Sequence, residues 1–245
     1  MTPANPYGAK DRRFQRFRKQ NPHVSFAQYS MDLVIKAMDE GWVNPDSALA
    51  IAQSNPEKFW TAAEPKAKKW FKTMALKRRH KVIEYGCGSL RLGAHFISYL
   101  DRGHYAGLDV ISGFYERGVL TIGAKLIDAK APVLRVISEE AVAEGAAFAA
   151  DIVFSNTVAV HVHPDETQAY YGNLARLTAK PGARLIFNAM LFERCHRFQF
   201  NSWAWPMEFY KESLRELECV RAEIGRSRTQ DDAEMKLAEF EFRRR

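Results

Sequence analysis

Short apolar runs separated by amphipathic stretches occupy the chain from residue 81 onward. The runs are rich in Val, Ile, Leu and Phe, which is typical of strands buried on both faces of a sheet. We predict five such strands, at 81–86, 104–110, 131–137, 151–156 and 183–190. The amphipathic stretches predict helices at 89–100, 112–130, 139–149, 164–178 and 206–217. Strands that alternate with helices indicate a parallel sheet with helices on both faces.

Two further apolar runs, 218–225 and 235–242, are joined by the polar segment 226–234. This segment is too short for a crossover helix, so we expect the two strands to be antiparallel and to form a hairpin. The predicted fold class is therefore α/β, with a seven-stranded, mostly parallel sheet, helices on both faces and an antiparallel terminal strand.

Residues 1–80 contain helical patterns and no strand pattern. The first clear helix begins after Ser25, a residue type that suits a helix N-cap, and ends at Gly41. We therefore predict an N-terminal helical cap or lid on an α/β domain formed by residues 81–245. The predicted helices of the cap cover 25–41, 45–52 and 56–79.

The composition is that of a globular protein able to bury a core: 245 residues, of which 47% are hydrophobic and 27% charged. The three cysteines, Cys87, Cys195 and Cys219, are far apart and form no CxxC pair, so neither a zinc ribbon nor a disulfide framework is expected. No segment has the 18–20 or so apolar residues that span a bilayer, and the N-terminus lacks the apolar core of a secretion signal. We expect a cytoplasmic protein without a metal site and without a membrane partner.

Positive charge is concentrated in the first third of the chain. Residues 1–80 carry 15 Lys and Arg against 7 Asp and Glu, whereas residues 81–245 carry 21 against 22. Such a bias attracts anionic partners, including nucleic acid, or simply forms a solvated face. The basic segment 12–19 also holds Phe14 and Phe17, which lie on one face of a helix. That spacing favours a docked amphipathic helix over an RNA-binding arm.

A glycine-rich turn joins the first predicted strand to the helix after it. Gly86 and Gly88 permit a tight turn and the close approach of a ligand, and the helix N-terminus offers free backbone amides. Asp109 follows Gly88 by 21 residues and ends the second strand, where it can accept hydrogen bonds from ribose hydroxyls. Such an arrangement binds a dinucleotide or another adenosine-containing cofactor.

Three residues around the turn separate these two cofactor classes. The dinucleotide motif needs a third glycine where this chain has Arg91, and Gly93 comes two residues too late. Glu84 precedes the turn by two residues; its carboxylate would attract a cationic amino group and repel a pyrophosphate. The turn therefore favours an adenosine cofactor that carries a positive charge, with an NAD-dependent dehydrogenase as the less favoured interpretation.

With these residues the sequence resembles the class I S-adenosylmethionine-dependent methyltransferases over residues 81–245. Their first motif is an acid followed by G-x-G, and Glu84, Gly86 and Gly88 match it, whereas Leu90 stands where many members have a third glycine. The resemblance implies S-adenosylmethionine as the cofactor. It places the ribose at Asp109 and adenine beside the residues after the third strand. The implied cofactor contacts are Glu84, Gly86, Cys87, Gly88, Asp109, Ser138, Glu139 and Asn156.

Candidates for catalysis follow the fourth strand, because the acceptor usually sits beyond the carboxyl ends of strands one, four and five. Methyl transfer to a hydroxyl or an ammonium requires removal of a proton, and histidine is suited to this at neutral pH. His163 and His161 are the candidate bases, with a loop or helix-capping role as the alternative for each. The exit of the fourth strand lacks the N-P-P-[YF] motif, which argues against methylation of adenine N6 or cytosine N4.

The connection after the fifth strand is dense in aromatic residues. These rings could close over a planar, apolar or sugar-like acceptor, or they could form a core between this connection and the N-terminal helices. The predicted substrate-binding residues are His196, Trp203, Trp205 and Tyr210.

We therefore predict an enzyme that transfers a methyl group from S-adenosylmethionine to an oxygen or nitrogen of a small molecule of aromatic, sugar-like or natural-product type. The alternatives are an RNA methyltransferase that uses the basic N-terminal third, and a non-catalytic Rossmann-like binding module. The sequence leaves open the acceptor, and whether the chain forms a homo-oligomer.

Overall fold

The computed structural model describes residues 7–42, 56–230 and 233–245. The predicted helix over 45–52 lies outside these residues. Nine strands are found in the described ranges: β1 (Val82–Tyr85), β2 (Tyr105–Asp109), β3 (Val133–Val136), β4 (Ile152–Ser155), β5 (Arg184–Leu191), β6 (His196–Gln199), β7 (Ser202–Ala204), β8 (Glu218–Gln230) and β9 (Ala233–Arg243).

Seven of these strands form one sheet in the order β3-β2-β1-β4-β5-β9-β8. All neighbours from β3 to β5 are parallel, and β9 is antiparallel to both β5 and β8. The predicted fold class is thus confirmed, including the antiparallel strand and the terminal hairpin. One prediction about the hairpin is wrong: residues 226–230 and 233–234 of the polar connection belong to β8 and β9. Their backbones pair as a two-stranded extension, which does not require apolar side chains.

Ten helices cover the sheet or precede it in the described ranges: α1 (Gly8–Gln20), α2 (Phe26–Asp39), α3 (Pro56–Thr61), α4 (Glu64–Thr73), α5 (Gly93–Tyr99), α6 (Ser112–Ile122), α7 (Ala124–Lys130), α8 (Glu139–Ala147), α9 (Thr167–Leu177) and α10 (Met207–Ser213). Two predicted helices are each divided in two. Gly123, with φ of 88°, separates α6 from α7. Pro65 lies in the first turn of α4, where a missing N–H is tolerated, so the chain starts a new helix there.

Alternate residues of the central strands enter two different hydrophobic clusters. Ile83 of β1 and Val153 of β4 pack with helices α8 and α9 on one face of the sheet. Val82 and Ile152, one residue earlier in each strand, pack with α4 and α5 on the other face. Burial on both faces explains why the strands are nearly continuous apolar runs. None of the helices in the described ranges is both long and apolar enough to span a membrane.

A small hairpin of β6 and β7 lies in the aromatic connection, where the sequence predicts no strand. It binds the N-terminal helices. Phe14 of α1 is 2% exposed and packs edge-on against Phe26 of α2, with ring centroids 5.0 Å apart. Trp203 of β7 completes this cluster. Arg197 of β6 donates two 2.9 Å hydrogen bonds to the carboxylate of Asp11 in α1.

The docked position of α1 yields a stability prediction. Replacing a buried Phe by Ala costs about 3–5 kcal/mol, so Phe14→Ala should detach α1 and α2 while the sheet remains folded. Hydrogen exchange followed by mass spectrometry should show faster exchange in residues 8–39 and unchanged exchange in β1, β4 and β5. The control is Leu33→Ala, since Leu33 of α2 is 44% exposed. Equal acceleration throughout the sheet would contradict independent docking of these helices.

Candidate active site

A cavity of about 330 Å³ lies at the carboxyl ends of β1, β2 and β4, beneath helix α2. Parallel α/β sheets bind ligands at this edge, where the strand order reverses between β1 and β4. Most of the exposed wall is apolar, although many of the lining residues also carry a polar group. The polar side chains that line it are those of Ser25, Ser30, Tyr85, Asp109, Asn156, Thr157, His161, Glu166, Tyr170, Asn173 and Asn201.

The glycine turn forms the floor of this cavity. Gly86 and Gly88 both have positive φ, 81° and 54°, which explains why glycine is used there. A Cβ on Gly86 would lie 2.3 Å from Val158, whereas a Cβ on Gly88 would meet no atom within 4 Å. Gly88 therefore presents bare backbone to open space, as a site that cradles a ligand requires.

Leu90, at the position where a third glycine is expected, has a left-handed backbone conformation. Its φ is 58°, and its side chain is completely buried in the cluster between β1 and α5. A leucine in this conformation is strained by about 1–2 kcal/mol, which the burial of the side chain offsets.

Asp109 fastens the turn to the end of β2. Its Oδ2 accepts a 2.7 Å hydrogen bond from the N–H of Gly88, and its Oδ1 accepts a 2.8 Å bond from the N–H of Val110. Burial raises the pKa of Asp109, and these backbone donors oppose the rise. The N–H of Ile111 is a third backbone donor to this carboxylate. A carboxylate has about four acceptor positions, so acceptor capacity remains. Asp109 lines the cavity and can still accept hydrogen bonds from a ligand.

Glu84 lies on the opposite side of the turn from the cavity. It is 3% exposed, and its Oε2 accepts a 2.6 Å hydrogen bond from the hydroxyl of Tyr105. Burial raises the pKa of Glu84 to about 8, with Asp109 adding to the rise and the Tyr105 bond opposing it. The carboxyl is thus largely protonated at neutral pH, and it is not among the groups that line the cavity.

The other predicted cofactor contacts are divided between the cavity and its surroundings. Asn156 lines the cavity. Cys87 is buried beside Gly107 as a space-filling residue, and burial raises the pKa of its thiol. Ser138 caps α8 by accepting a hydrogen bond from Ala141. The cavity is lined at the end of β3 by Ile137, the residue before Ser138.

Glu139 likewise lies away from the cavity. Its carboxylate accepts two hydrogen bonds from Arg176 of α9, 2.9 Å and 2.5 Å long. Both groups are exposed, so this pair is a surface link between α8 and α9.

His161 is the histidine that reaches the cavity. It ends a short 3-10 turn, Ala159–His161, and its Nδ1 lies 2.8 Å from the carbonyl oxygen of Asn201. A carbonyl only accepts hydrogen bonds, so Nδ1 carries the proton of the neutral ring and Nε2 keeps its lone pair. Burial lowers the pKa of His161, which keeps the ring neutral and able to accept a proton.

His163 points elsewhere, contrary to its predicted role as a base. Its Nδ1 accepts a 3.2 Å hydrogen bond from the N–H of Asp165 and caps the 3-10 turn Pro164–Glu166. Its ring packs against Phe26 and Trp203, with centroids 4.9 Å and 5.3 Å away. The aromatic cluster that docks α2 thus holds this histidine outside the cavity lining.

The four predicted substrate-binding residues pack into the protein instead of lining the cavity. Tyr210 is fully buried, and its hydroxyl donates to the carbonyl oxygen of Met190. Trp205 stacks on Phe209, Trp203 belongs to the cluster that docks α1, and His196 packs on Phe192. In the structure these four side chains thus pack against the protein and do not line either described cavity.

Helix α2 lies within the predicted N-terminal cap and forms a roof over the cavity, but a sequence pattern does not identify which of its residues line it. Glu166 accepts a hydrogen bond from the N–H of Phe26, and Gln28 donates to the carbonyl oxygen of Val110 at 3.4 Å. Ser30 is 5% exposed, and its hydroxyl has no hydrogen-bond partner within the described ranges. It lines the cavity and is available to a ligand.

Comparison of the sequence with family models and with curated proteins gives no match, whereas comparison of the structure does. Magnesium protoporphyrin IX methyltransferase ChlM from Synechocystis PCC 6803, solved with S-adenosylhomocysteine, superposes with a TM-score of 0.55 and 13% identity over 90% of this chain and 96% of its own. TehB from Haemophilus influenzae gives 0.52 and 14% over 80% of this chain and 66% of its own. The cyclase SpnF gives 0.54 and 13% over 75% and 82%.

The strand order, the antiparallel β9 and the glycine turn beneath the cavity define a Rossmann-like α/β fold. In particular, the chain has the fold of the class I S-adenosylmethionine-dependent methyltransferases, which confirms the predicted resemblance. Identities of 13–14% show a shared fold, and SpnF, a cyclase, illustrates that one fold serves several chemistries.

Because Leu90 has a strained backbone conformation, we expect its Gly variant to be more stable than its Ala variant, the opposite of the usual order in a helix. Leu90→Ala loses packing and keeps the strain, whereas Leu90→Gly loses packing and relieves the strain. We expect the Gly variant to be more stable than the Ala variant by about 1 kcal/mol in urea unfolding. Leu174 of α9 is equally buried, and there Gly should be about 1 kcal/mol less stable than Ala. If the Ala variant were more stable than the Gly variant at both positions, the backbone of Leu90 would not be strained.

Burial of Glu84 predicts a pH-dependent stability. The folded-state pKa, about 8, exceeds the unfolded value, so stability is fully present below about pH 4.5 and declines as pH rises to about 8. The slope should reach about 1.4 kcal/mol per pH unit. Glu84→Gln should remove this decline, as urea unfolding at pH 5, 7 and 9 would measure. The exposed Glu208→Gln is the control, and parallel profiles of wild type and Glu84→Gln would contradict the prediction.

Proposed function

We propose that the protein transfers a methyl group from S-adenosylmethionine to an oxygen or nitrogen of a small molecule. The observation that carries this proposal is that one cavity is lined by the bare backbone of Gly88, by Asp109 and by His161. A cofactor cradle and a neutral proton acceptor therefore share one enclosed volume.

The residues of the turn suit an adenosine-containing, positively charged cofactor. The remaining lone pairs of Asp109 would accept hydrogen bonds from the ribose hydroxyls, and the open space over Gly88 leaves room for the chain that bears the sulfur. The apolar side chain of Ile137 would contact adenine. When bound, S-adenosylmethionine supplies an electrophilic methyl group on a sulfonium.

His161 would act as the general base toward the acceptor. Its Nδ1–H is held by the carbonyl of Asn201, which fixes the ring and leaves Nε2 to accept a proton from an acceptor hydroxyl or ammonium. Ser30 and Glu166, from the roof and the 3-10 turn, would supply polar contacts that orient the acceptor.

The roof favours a small molecule over RNA. Helix α2 covers the cavity, whose volume of about 330 Å³ lies in the ordinary range for small-ligand sites. The cationic residues of α1 that could contact a polynucleotide face outward, and Arg18 is already within 3.6 Å of Asp165. The helix over the cavity and the small cavity volume together support a small acceptor.

Calorimetric titration with S-adenosylhomocysteine, beside NAD, tests this proposal. We expect micromolar binding of S-adenosylhomocysteine and no binding of NAD. Asp109→Asn should weaken the former at least tenfold, about 1.4 kcal/mol, because the amide loses two acceptor sites. Asp101→Asn, an exposed carboxylate after α5, should bind normally. Binding of NAD alone would overturn the proposal in favour of a dehydrogenase, and binding of neither would favour a non-catalytic module.

A further inference from the structure

A second cavity of about 410 Å³ adjoins the first, separated from it by the segment after β4. Thr157 and His161 line both cavities. The second cavity lies over the carboxyl ends of β4 and β5 and beneath helix α4. The polar groups that α4, β5 and β9 contribute to it are Lys66, Lys69, Asn188 and Glu239.

The charge of this cavity is positive. Lys69 forms an ion pair with Glu239, which accounts for both of those charges. Lys66 forms no ion pair with any described residue, so its ammonium group is a net charge at the wall. Partial burial and the nearby Arg91 lower the pKa of Lys66, while the carboxyl groups of Glu84 and Glu239 oppose this shift. Glu84 is largely protonated at neutral pH, and Glu239 is paired with Lys69. Arg91 itself has no acidic partner within the described ranges. Lys66 and Arg91 are therefore two neighbouring cations that form no ion pair within the described ranges.

Two further groups at this wall are hydrogen-bond donors. Trp70 is 1% exposed and lines the cavity, and its indole N–H has no partner in the described part of the chain. Asn188 uses its Oδ1 to accept a 2.6 Å bond from Thr157 and its Nδ2 to donate to Asn156 at 3.2 Å. Since the acceptor atom of the amide is occupied, Asn188 has one N–H left to donate.

Excess donors and unpaired cations complement oxygen atoms that carry negative charge. We propose that the second cavity binds the anionic group, a carboxylate or a phosphate, of the methyl acceptor. Lys66 is the principal contact, and the rest of the acceptor extends past Thr157 to His161. This proposal rests on the proposed methyl transfer only in naming the bound molecule as the acceptor.

Binding of small anions by the full-length protein tests the site directly. With tryptophan replaced by 5-fluorotryptophan, fluorine NMR reports on Trp70, whose resonance is assigned from Trp70→Phe. The probes are inorganic phosphate, benzoate and the neutral benzamide. We expect saturable shifts of the Trp70 resonance with at least one anion and none with benzamide. The anion that binds more tightly identifies the acceptor as a carboxylic acid or a phosphate ester.

A pair of variants on one helix separates the specific site from general charge. Lys66→Met should weaken anion binding at least fivefold, whereas Lys72→Met, which removes the same charge from α4 outside the cavity lining, should leave it unchanged. Equal affinity of both variants, equal shifts with benzamide, or no saturable shift in the wild-type protein would overturn the proposal.

Titration with S-adenosylhomocysteine keeps this result distinct from the proposed function. Lys66→Met should bind S-adenosylhomocysteine as the wild-type protein does, because Lys66 does not line the first cavity. Anion binding without S-adenosylhomocysteine binding would refute methyl transfer and retain the anion site. Binding of S-adenosylhomocysteine without binding of anions would refute the anion site and leave the proposed methyl transfer intact.

Discussion

The hydrogen bonds that Asp109 accepts from Gly88 and Val110 hold together the part of the molecule on which the site depends. The bond from Gly88 joins the turn after β1 to the end of β2, together with backbone bonds from Gly86 and Cys87 to the carbonyl oxygen of Leu108, and the bond from Val110 orients the carboxylate. Without this tie, three residues with positive φ in close succession, Gly86, Gly88 and Leu90, would have little reason to keep their shape. The glycine turn that forms the floor of the first cavity therefore depends on the hydrogen bond between Gly88 and Asp109.

The same region brings two carboxyl groups together in a poorly solvated place. Burial raises the pKa values of both Glu84 and Asp109, and each raises that of the buried Cys87. No described residue forms an ion pair with either carboxyl group. A cationic ligand near the turn would stabilise the ionised form of these carboxyl groups, whereas an anionic ligand would destabilise it. The neighbouring cavity beneath α4 is positive, so the two halves of the site are electrostatically distinct.

Much of the architecture could be predicted from the sequence because it depends on local patterns. Apolar runs with intervening helices predict the seven strands, and the short polar connection predicts the antiparallel hairpin. Gly86, Gly88 and Asp109 were recognisable because their spacing reflects backbone constraints. Leu90 was noted as a departure from the motif, but a sequence pattern does not reveal that leucine keeps the left-handed conformation.

The remaining site residues depend on contacts between distant parts of the chain. His161 and His163 are two positions apart, and the choice between them is made by the Asn201 carbonyl and by the aromatic rings around Phe26. Among the aromatic residues after β5, Trp203 contacts the N-terminal helices and Tyr210 packs in the core beside the sheet, and no local pattern separates these two roles. The roof residues, such as Ser30, lie more than fifty positions before the motif that they cover.

The roof has a thermodynamic consequence for the N-terminal part of the chain. Helix α2 is joined to the rest of the site by the bond between Phe26 and Glu166, residues 140 positions apart, and by few other polar contacts. Such a segment can open without global unfolding. Any molecule that binds between the roof and the floor must stabilise the closed arrangement by mass action. Ligand binding in the cavity should therefore increase the resistance of residues 8–39 to proteolysis, because both depend on the equilibrium between the open and closed roof.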